Sequence, residues 1–74
     1  MSNASSSAER IREKKRLFLQ REQNIIEASL KLLLDKGIDN VTVSAIAREA
    51  GVGKGTVYKH FMTKTEILIS IMLN

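Results

Sequence analysis

The feature that most constrains the fold is a pair of short apolar stripes, joined by a glycine-containing turn, between residues 42 and 61. In the first segment the apolar residues recur at the i, i+3, i+4, i+7 spacing of a helix, at Val43, Ile46, Ala47 and Ala50. Thr42 precedes them and is a residue type that caps helix N-termini. Gly51 follows them, at a position where glycine adopts the left-handed conformation without steric cost. The pattern therefore predicts a helix that ends in a sharp turn.

The second segment, residues 54–61, predicts a helix with one apolar side. Val57 and Phe61 form an i, i+4 pair that can pack inward. Thr56, Lys59 and His60 occupy the opposite row, with Tyr58 beside it. Two interpretations fit this pattern: an ordinary amphipathic helix with a solvated face, or a helix that lies in the DNA major groove.

The two segments together favour the second interpretation. Ala47 is small and lies four residues before Gly51, which lets the second helix cross the first without a side-chain clash. A small residue, a turn glycine and flanking apolar residues at these offsets predict a helix-turn-helix.

Length, charge and residue usage limit the function further. The 74 residues allow one small domain, and 12 Lys and Arg against eight Asp and Glu give a net charge of +4 that favours a polyanionic partner. The absence of cysteine excludes disulfides, thiol catalysis and cysteine-ligated zinc. No apolar run approaches the roughly 20 residues that cross a bilayer, and Met1 to Ser7 lack the apolar stretch of a secretion signal. We expect a soluble, cytoplasmic protein without membrane contact.

The rest of the chain divides by composition into three parts around the helix-turn-helix domain of residues 22–62. Residues 1–8 are small and polar, and we expect an unstructured tail or a remnant of cloning. Residues 9–21 form a charged extension, predicted to be helical. It is either a basic arm that lies on phosphates or a solvated helical face. Within residues 22–36 a broad apolar stripe, closed by Gly37, predicts the clearest helix.

The last part, residues 63–74, predicts the start of a connecting helix. Thr63 and Glu66 have the spacing of a capping box, and the helix after them is apolar almost all round, so we expect it to be buried. Such a helix ending at Asn74 suggests a truncated chain. The alternative is a dimer formed through this apolar surface.

The chain from about Arg21 to Leu73 resembles the N-terminal DNA-binding domain of the TetR family of prokaryotic transcriptional regulators. Four stretches carry the resemblance: Ile25-Ile26-Glu27-Ala28 with Leu32-Leu33 before Gly37; Thr42-Val43 before Ile46-Ala47; Ala50-Gly51-Val52; and Gly55-Thr56-Val57-Tyr58-Lys59-His60-Phe61 followed by Lys64 and Leu68. The resemblance implies an all-α fold: a small helical bundle with a three-helix helix-turn-helix domain of TetR or homeodomain-like type and the start of a fourth, linking helix.

The resemblance also implies a function. Proteins of this family are homodimers, usually repressors, that bind double-stranded DNA at an operator, and we expect the operator to be an inverted repeat. Their larger C-terminal domain, absent from these residues, binds a small-molecule effector. Two positions depart from the family pattern: Gly53 replaces a frequent hydroxyl residue that caps the second helix, and Val43 replaces a frequent Thr or Ser.

The predicted DNA-binding residues are Ser44, Lys54, Gly55, Thr56, Tyr58, Lys59, His60 and Lys64. Lys54 and Lys64 are candidates for phosphate contacts, and Gly55 permits close approach of the backbone. Thr56 and Lys59 are candidates for base contacts. By resemblance, Tyr58 contacts the DNA backbone and His60 lies near the same strand. Tyr58 is alternatively a core residue, and Ser44, a candidate for a phosphate or base edge, is alternatively only solvated.

An enzymatic function finds no support in the sequence. His60 is the only histidine, and its neighbours Lys59 and Phe61 supply no nucleophile, acid or metal partner. We expect neither catalysis nor a cofactor. The remaining alternative to DNA binding is a helix-turn-helix module for protein interaction.

Overall fold

Within the residues that the structure describes, the fold consists of four α-helices and one short 3₁₀ turn. The computed structural model describes residues 3–73, with side chains described for residues 7–73. The elements are α1 (Asn3–Lys36), the 3₁₀ turn (Ile38–Asn40), α2 (Val43–Ala50), α3 (Lys54–His60) and α4 (Lys64–Leu73). No strand occurs within residues 3–73. The predicted all-α class, with a three-helix domain and a fourth helix, is therefore confirmed.

Helix α1 runs the full length of the molecule. Its 34 residues correspond to about 51 Å of helix, against a longest molecular dimension of 52 Å. The extension predicted to be helical at residues 9–21 is continuous with the helix predicted from residue 22, because no glycine or proline interrupts the chain there. The unstructured tail predicted for residues 1–8 is thus not found from Asn3 onward. Met1 and Ser2 lie outside the described residues.

The core is formed by the C-terminal half of α1 and the three shorter helices. Its buried residues are Ile25, Ile26, Leu32, Val41, Ile46, Ala47, Val57, Phe61 and Ile67. Helix α1 contacts α2 and α4, and α2 contacts α3. Fully burying each large aliphatic side chain contributes roughly 1.5–3 kcal/mol. Because the first core residue of α1 is Ile25, the N-terminal half of this helix lies outside the core.

The polar side chain of Ser29 is buried beside the core, and its hydroxyl has a hydrogen-bond partner. Ser29 on α1 is fully buried, and its hydroxyl donates a hydrogen bond of 2.7 Å to the carbonyl of Ile25, one turn earlier. A buried hydroxyl with a partner avoids the cost of desolvation that an unpaired one carries. Ser29 therefore lets α1 pack closely against its neighbours.

Helix α4 is buried on one side only, which corrects the prediction that it is enclosed. Ile67 is fully buried, whereas Ile69, Met72 and Leu73 are exposed. A helix that is apolar all round can turn only one side towards a single neighbouring layer. Its start has the predicted capping interactions, with one change: Thr63 Oγ1 accepts from Glu66 N at 3.2 Å, and the Glu66 carboxylate accepts from Met62 N at 2.9 Å. The carboxylate thus reaches one residue further back than in a standard capping box.

None of the helices described between residues 3 and 73 has the length and apolar character that a membrane span requires.

Candidate nucleic-acid interface

The turn between α2 and α3 is fixed at both ends of α2 by hydrogen bonds. Thr42 Oγ1 accepts from Ala45 N at 3.1 Å, which caps the start of the helix. At the other end Gly51 adopts φ 72° and ψ 32°, the left-handed conformation. Val52 N then donates to the Ala47 carbonyl at 2.9 Å, closing the last turn. These contacts set the direction in which α3 leaves α2.

The apolar side of α3 is held in the core. Val57 is fully buried and Phe61, which follows the last helical residue, is 6% exposed. Ile46 and Ala47 on α2 are buried in the same cluster, in agreement with the close crossing predicted from the small Ala47. Val43, one of the two departures from the family pattern, also packs against this cluster. The orientation of α3 about its own axis is therefore fixed.

The opposite side of α3 carries most of the predicted DNA-binding residues. At about 100° per residue, Gly55, Thr56 and Lys59 lie away from the buried side. Gly55 and Lys59 are exposed and Thr56 is partly exposed. Tyr58, at one edge of this surface, is 51% exposed, so the core alternative for its side chain does not hold. Lys54, exposed at the first position of α3, completes this group.

The start of α3 is exposed to solvent at Gly53, Lys54 and Gly55. Gly53 caps the helix with φ −81° and ψ 160° and makes no side-chain cap hydrogen bond. Its carbonyl accepts from Thr56 N at 3.1 Å. A Cβ placed on Gly53 or Gly55 would meet nothing within 4 Å, so these glycines are not required by crowding inside the chain.

Two predicted site residues lie on other helices. Ser44 is the second residue of α2 and is partly exposed. Lys64 is the first residue of α4, and its Nζ donates to the carbonyl of Ile38 at 2.9 Å. One of the three ammonium donors is thus used to tie α4 to the 3₁₀ turn, and two remain for other partners.

His60 is the predicted site residue that the structure separates from the others. Its side chain is only 1% exposed, and its Nδ1 lies 3.3 Å from Glu22 Oε1 on α1. The ring stacks on Phe18 of α1, with ring centroids 3.9 Å apart and planes at 23°. The expectation that this side chain faces DNA is corrected: it joins the end of α3 to α1.

Sequence reasoning missed Phe18 and Glu22 as partners of the interface. Both continue the core-facing row of α1 toward its N-terminus, since they precede Ile25 and Ile26 by the spacing of one or two helical turns. This continuation of the core-facing row was the sequence signal that could have identified Phe18 and Glu22 as contact residues. The contact itself joins distant parts of the chain, and no local pattern identifies which residue of α3 it meets.

No cluster of three or more metal-ligating side chains suited to an ion is present in the part of the chain that the structure describes. The surface of α3 is instead polar, exposed and cationic at Lys54 and Lys59. Its chemistry suits hydrogen bonding to base edges and ion pairing with phosphates.

Comparison with known proteins agrees with the helix-turn-helix described above. The model of the family described as bacterial regulatory proteins, tetR family, matches residues 25–71. The chain is 42% identical over 50 residues to the HTH-type transcriptional regulator SrpR of Pseudomonas putida, covering 68% of this chain and 24% of SrpR. It is equally 42% identical over 50 residues to TtgW of Pseudomonas putida, an uncharacterized HTH-type transcriptional regulator, covering 68% of this chain and 37% of that protein.

A third relative is an HTH-type transcriptional regulator of Staphylococcus aureus, 33% identical over 54 residues, which are 73% of this chain and 29% of the relative. The aligned segment thus spans about a quarter to a third of the length of these relatives. No solved structure matches the chain significantly.

Proposed function

Because this chain belongs to the tetR family of bacterial regulatory proteins and functions in DNA-binding regulation of transcription, we propose that it is the operator-binding domain of a dimeric, ligand-responsive repressor. The observation that carries the proposal is the division of α3. Its Val57 side is buried in the core, whereas Lys59 is exposed and Thr56 is partly exposed on a helix of fixed orientation. A preorganised polar helix surface of this kind suits the major groove.

Each exposed residue has a proposed role that follows from its chemistry. Thr56 offers a methyl group to thymine or a hydroxyl to a base edge, and Lys59 donates to guanine O6 and N7. Lys54 and the Tyr58 hydroxyl contact phosphates, where Gly55 allows the DNA backbone to come close. Ser44 contacts a phosphate or a base edge from α2, and Lys64 contacts a phosphate through the donors that Ile38 leaves free. We assign no DNA contact to the His60 ring, which is enclosed by α1.

The proposal extends to the whole protein. Since the match covers only about a quarter to a third of each of these relatives, we propose that a C-terminal domain outside these residues forms the homodimer and binds the effector. Two copies of α3 would then contact an inverted repeat, with half-sites separated by one or more helical turns of DNA. The cytoplasm is the proposed location, and the proposal includes no catalytic step and no cofactor.

Selection from random duplex DNA tests the proposal. The chain is dimerised through a coiled coil fused after Asn74, and the retained duplexes are sequenced after washing at moderate salt. Recovery of an inverted repeat is expected. Retention of duplexes that share no motif would leave only general affinity for DNA, and absence of retention would favour the protein-interaction alternative.

Two variants test the assigned roles on the selected duplex. Thr56→Ala should relax the preference for one base pair, with a discrimination loss of about 1–3 kcal/mol at that position. Lys54→Ala should weaken binding to all sequences alike and reduce the slope of log affinity against log salt by about 0.9. Equal effects of both variants on every duplex would show that base and backbone contacts are misassigned.

A further inference from the structure

The net charge of this protein is concentrated in one short segment. Residues 9–21, which we call the basic extension, contain six Lys or Arg and two Glu, a net charge of +4. The rest of the chain contains six basic and six acidic residues and is neutral overall. The basic extension also lies outside the 25–71 segment that matches the family. The feature most attractive to a polyanion is therefore not part of the helix-turn-helix.

The helical structure of the basic extension sorts its charges by side. At about 100° per residue, Arg10, Lys14, Lys15 and Arg21 lie on the side that also carries Phe18. Lys14, Lys15, Phe18 and Leu19 line one shallow concavity, which agrees with this arrangement. We call the side of α1 that carries Arg10, Lys14, Lys15 and Arg21 the basic side.

The acidic residues lie on the other side of the same helix. Glu9 and Glu13 line a second concavity together with Arg12 and Arg16. Arg16 donates hydrogen bonds to the Glu13 carboxylate, and this contact holds the pKa of Glu13 below its ordinary value. The positive charge of Arg16 is thus partly compensated within α1.

The stack between Phe18 and His60 fixes where the basic side points. Because His60 is the last residue of α3, the basic side passes the C-terminal end of the helix proposed to contact bases, with Arg21 on one side of the Phe18–His60 contact and Lys14 on the other. Lys14 lies one turn of helix beyond Phe18. From Phe18 to Arg10 the basic side continues for about 12 Å along the helix axis.

We propose that the basic side of α1, through Arg10, Lys14, Lys15 and Arg21, binds phosphates of the duplex next to the base pairs that α3 contacts. This inference rests on the proposed DNA binding by α3. Duplex DNA carries one negative charge per roughly 1.7 Å of helix axis, so a cationic helix surface of this length faces several phosphates. The extension then supplies affinity that is independent of sequence, and α3 supplies the base contacts.

Two other occupants fit the basic extension less well. A helix lying on an anionic membrane needs a continuous apolar side, but Leu17 and Leu19 point about 160° apart and Lys14 and Lys15 flank Phe18. A second copy of the extension would bring two segments of net charge +4 together without a continuous apolar seam. Duplex DNA is the partner that matches both the charge and the position beside α3.

The test compares two double variants of the full chain that remove equal charge. Lys14→Ala with Lys15→Ala removes two cations from the basic side, and Arg12→Ala with Arg16→Ala removes two from the other side. Affinity for a fluorescein-labelled 40-base-pair duplex is measured by anisotropy between 0.05 and 0.3 M salt. Circular dichroism at each salt concentration verifies that both variants keep their helices.

The Lys14/Lys15 variant should reduce the slope of log affinity against log salt by about 1.8, the value for two lost phosphate contacts. If the variant and the wild type bind equally at 1 M salt, this difference in slope makes the variant bind roughly 60-fold more weakly than the wild type at 0.1 M salt. The Arg12/Arg16 variant should stay within about threefold of the wild-type affinity. Trimming the duplex flanks should weaken the wild type and leave the Lys14/Lys15 variant nearly unchanged.

Equal losses in the two variants would overturn the proposal, because a general charge effect would then explain binding. An unchanged Lys14/Lys15 variant would also overturn it, while binding of the wild type would keep the function proposed for α3. If the Lys14/Lys15 variant bound phosphatidylglycerol vesicles more weakly than the wild type but bound duplex DNA with unchanged affinity, the basic side would be a membrane-binding surface and the proposal would be overturned. Failure of the wild-type chain to bind any duplex would overturn DNA binding by α3 as well.

Discussion

Phe18 and His60 are stacked with ring centroids 3.9 Å apart, although they belong to different helices and are far apart in the chain. Glu22, one turn after Phe18, approaches the same imidazole at 3.3 Å. The end of α3 is therefore attached to α1 at a place outside the main core. Through this contact, Phe18 and Glu22 of α1 lie directly against the last residue of the proposed base-contacting helix.

Replacing Phe18 with alanine should weaken this attachment. The ring is 42% exposed, so we expect a loss of about 1–2 kcal/mol in the free energy of unfolding, less than the 3–5 kcal/mol typical of a buried phenylalanine. Urea unfolding, monitored by circular dichroism, measures this loss in the free energy of unfolding. Leu19→Ala, at a neighbouring side chain that is 62% exposed, is the control and should change stability by less than about 0.5 kcal/mol. Equal values for the two variants would show that the stack contributes no stability.

Thr42→Ala should destabilise the protein by about 1 kcal/mol, because the Ala45 amide loses the oxygen that caps α2. Thr42→Ser keeps that oxygen and should remain close to the wild type. The comparison of their urea midpoints separates the cap from other effects of the side chain. A serine variant as unstable as the alanine variant would argue against the cap.

Gly51→Ala should also destabilise the protein, by about 1 kcal/mol or more, since φ 72° is a left-handed conformation that a Cβ disfavours. No atom lies within 4 Å of the added Cβ, so the cost arises from the backbone and not from a clash. Gly51→Asn should lose less, because asparagine tolerates this conformation better. Thermal unfolding of the wild type and the two variants gives the order of their stabilities. An alanine variant at least as stable as the asparagine variant would contradict it.

Gly53→Ser should stabilise the protein by a few tenths of a kcal/mol, because the start of α3 has no side-chain cap and the backbone is already extended there. The new hydroxyl also lies beside the proposed phosphate contacts, so we expect tighter binding to all duplexes without a change in base preference. Unfolding and anisotropy measurements check the two effects separately. A lower melting temperature would show that the hydroxyl does not reach the amides of α3.

The segment from Thr42 to Phe61 was predictable because its structure is specified locally. A cap residue, a helical apolar spacing and a glycine that permits positive φ all lie within 20 residues, and α2 and α3 begin and end where these signals fall. The boundaries proposed within α1 came from changes in composition. A change in composition does not by itself end a helix, and without a breaking residue α1 is continuous from Asn3 to Lys36.

The orientation of individual polar side chains was decided by the tertiary structure. The helical spacing placed His60 with Thr56 and Lys59, but α1 passes the end of α3 and encloses the imidazole. In the same way, the 3₁₀ turn accepts one hydrogen bond from the ammonium of Lys64. Both outcomes depend on contacts between residues that are distant in sequence.

The sequence by itself determined the helix-turn-helix and the polar side of α3 with Thr56 and Lys59, because hydrogen bonds and apolar spacing within a few residues specify them, and its resemblance to a known family implied the all-α bundle. Only the tertiary structure decided that His60 joins α3 to α1, that α4 packs on one side, and that the basic side of α1 passes the end of α3. The physical reason is that packing between helices selects among side-chain orientations that are equivalent within a single helix.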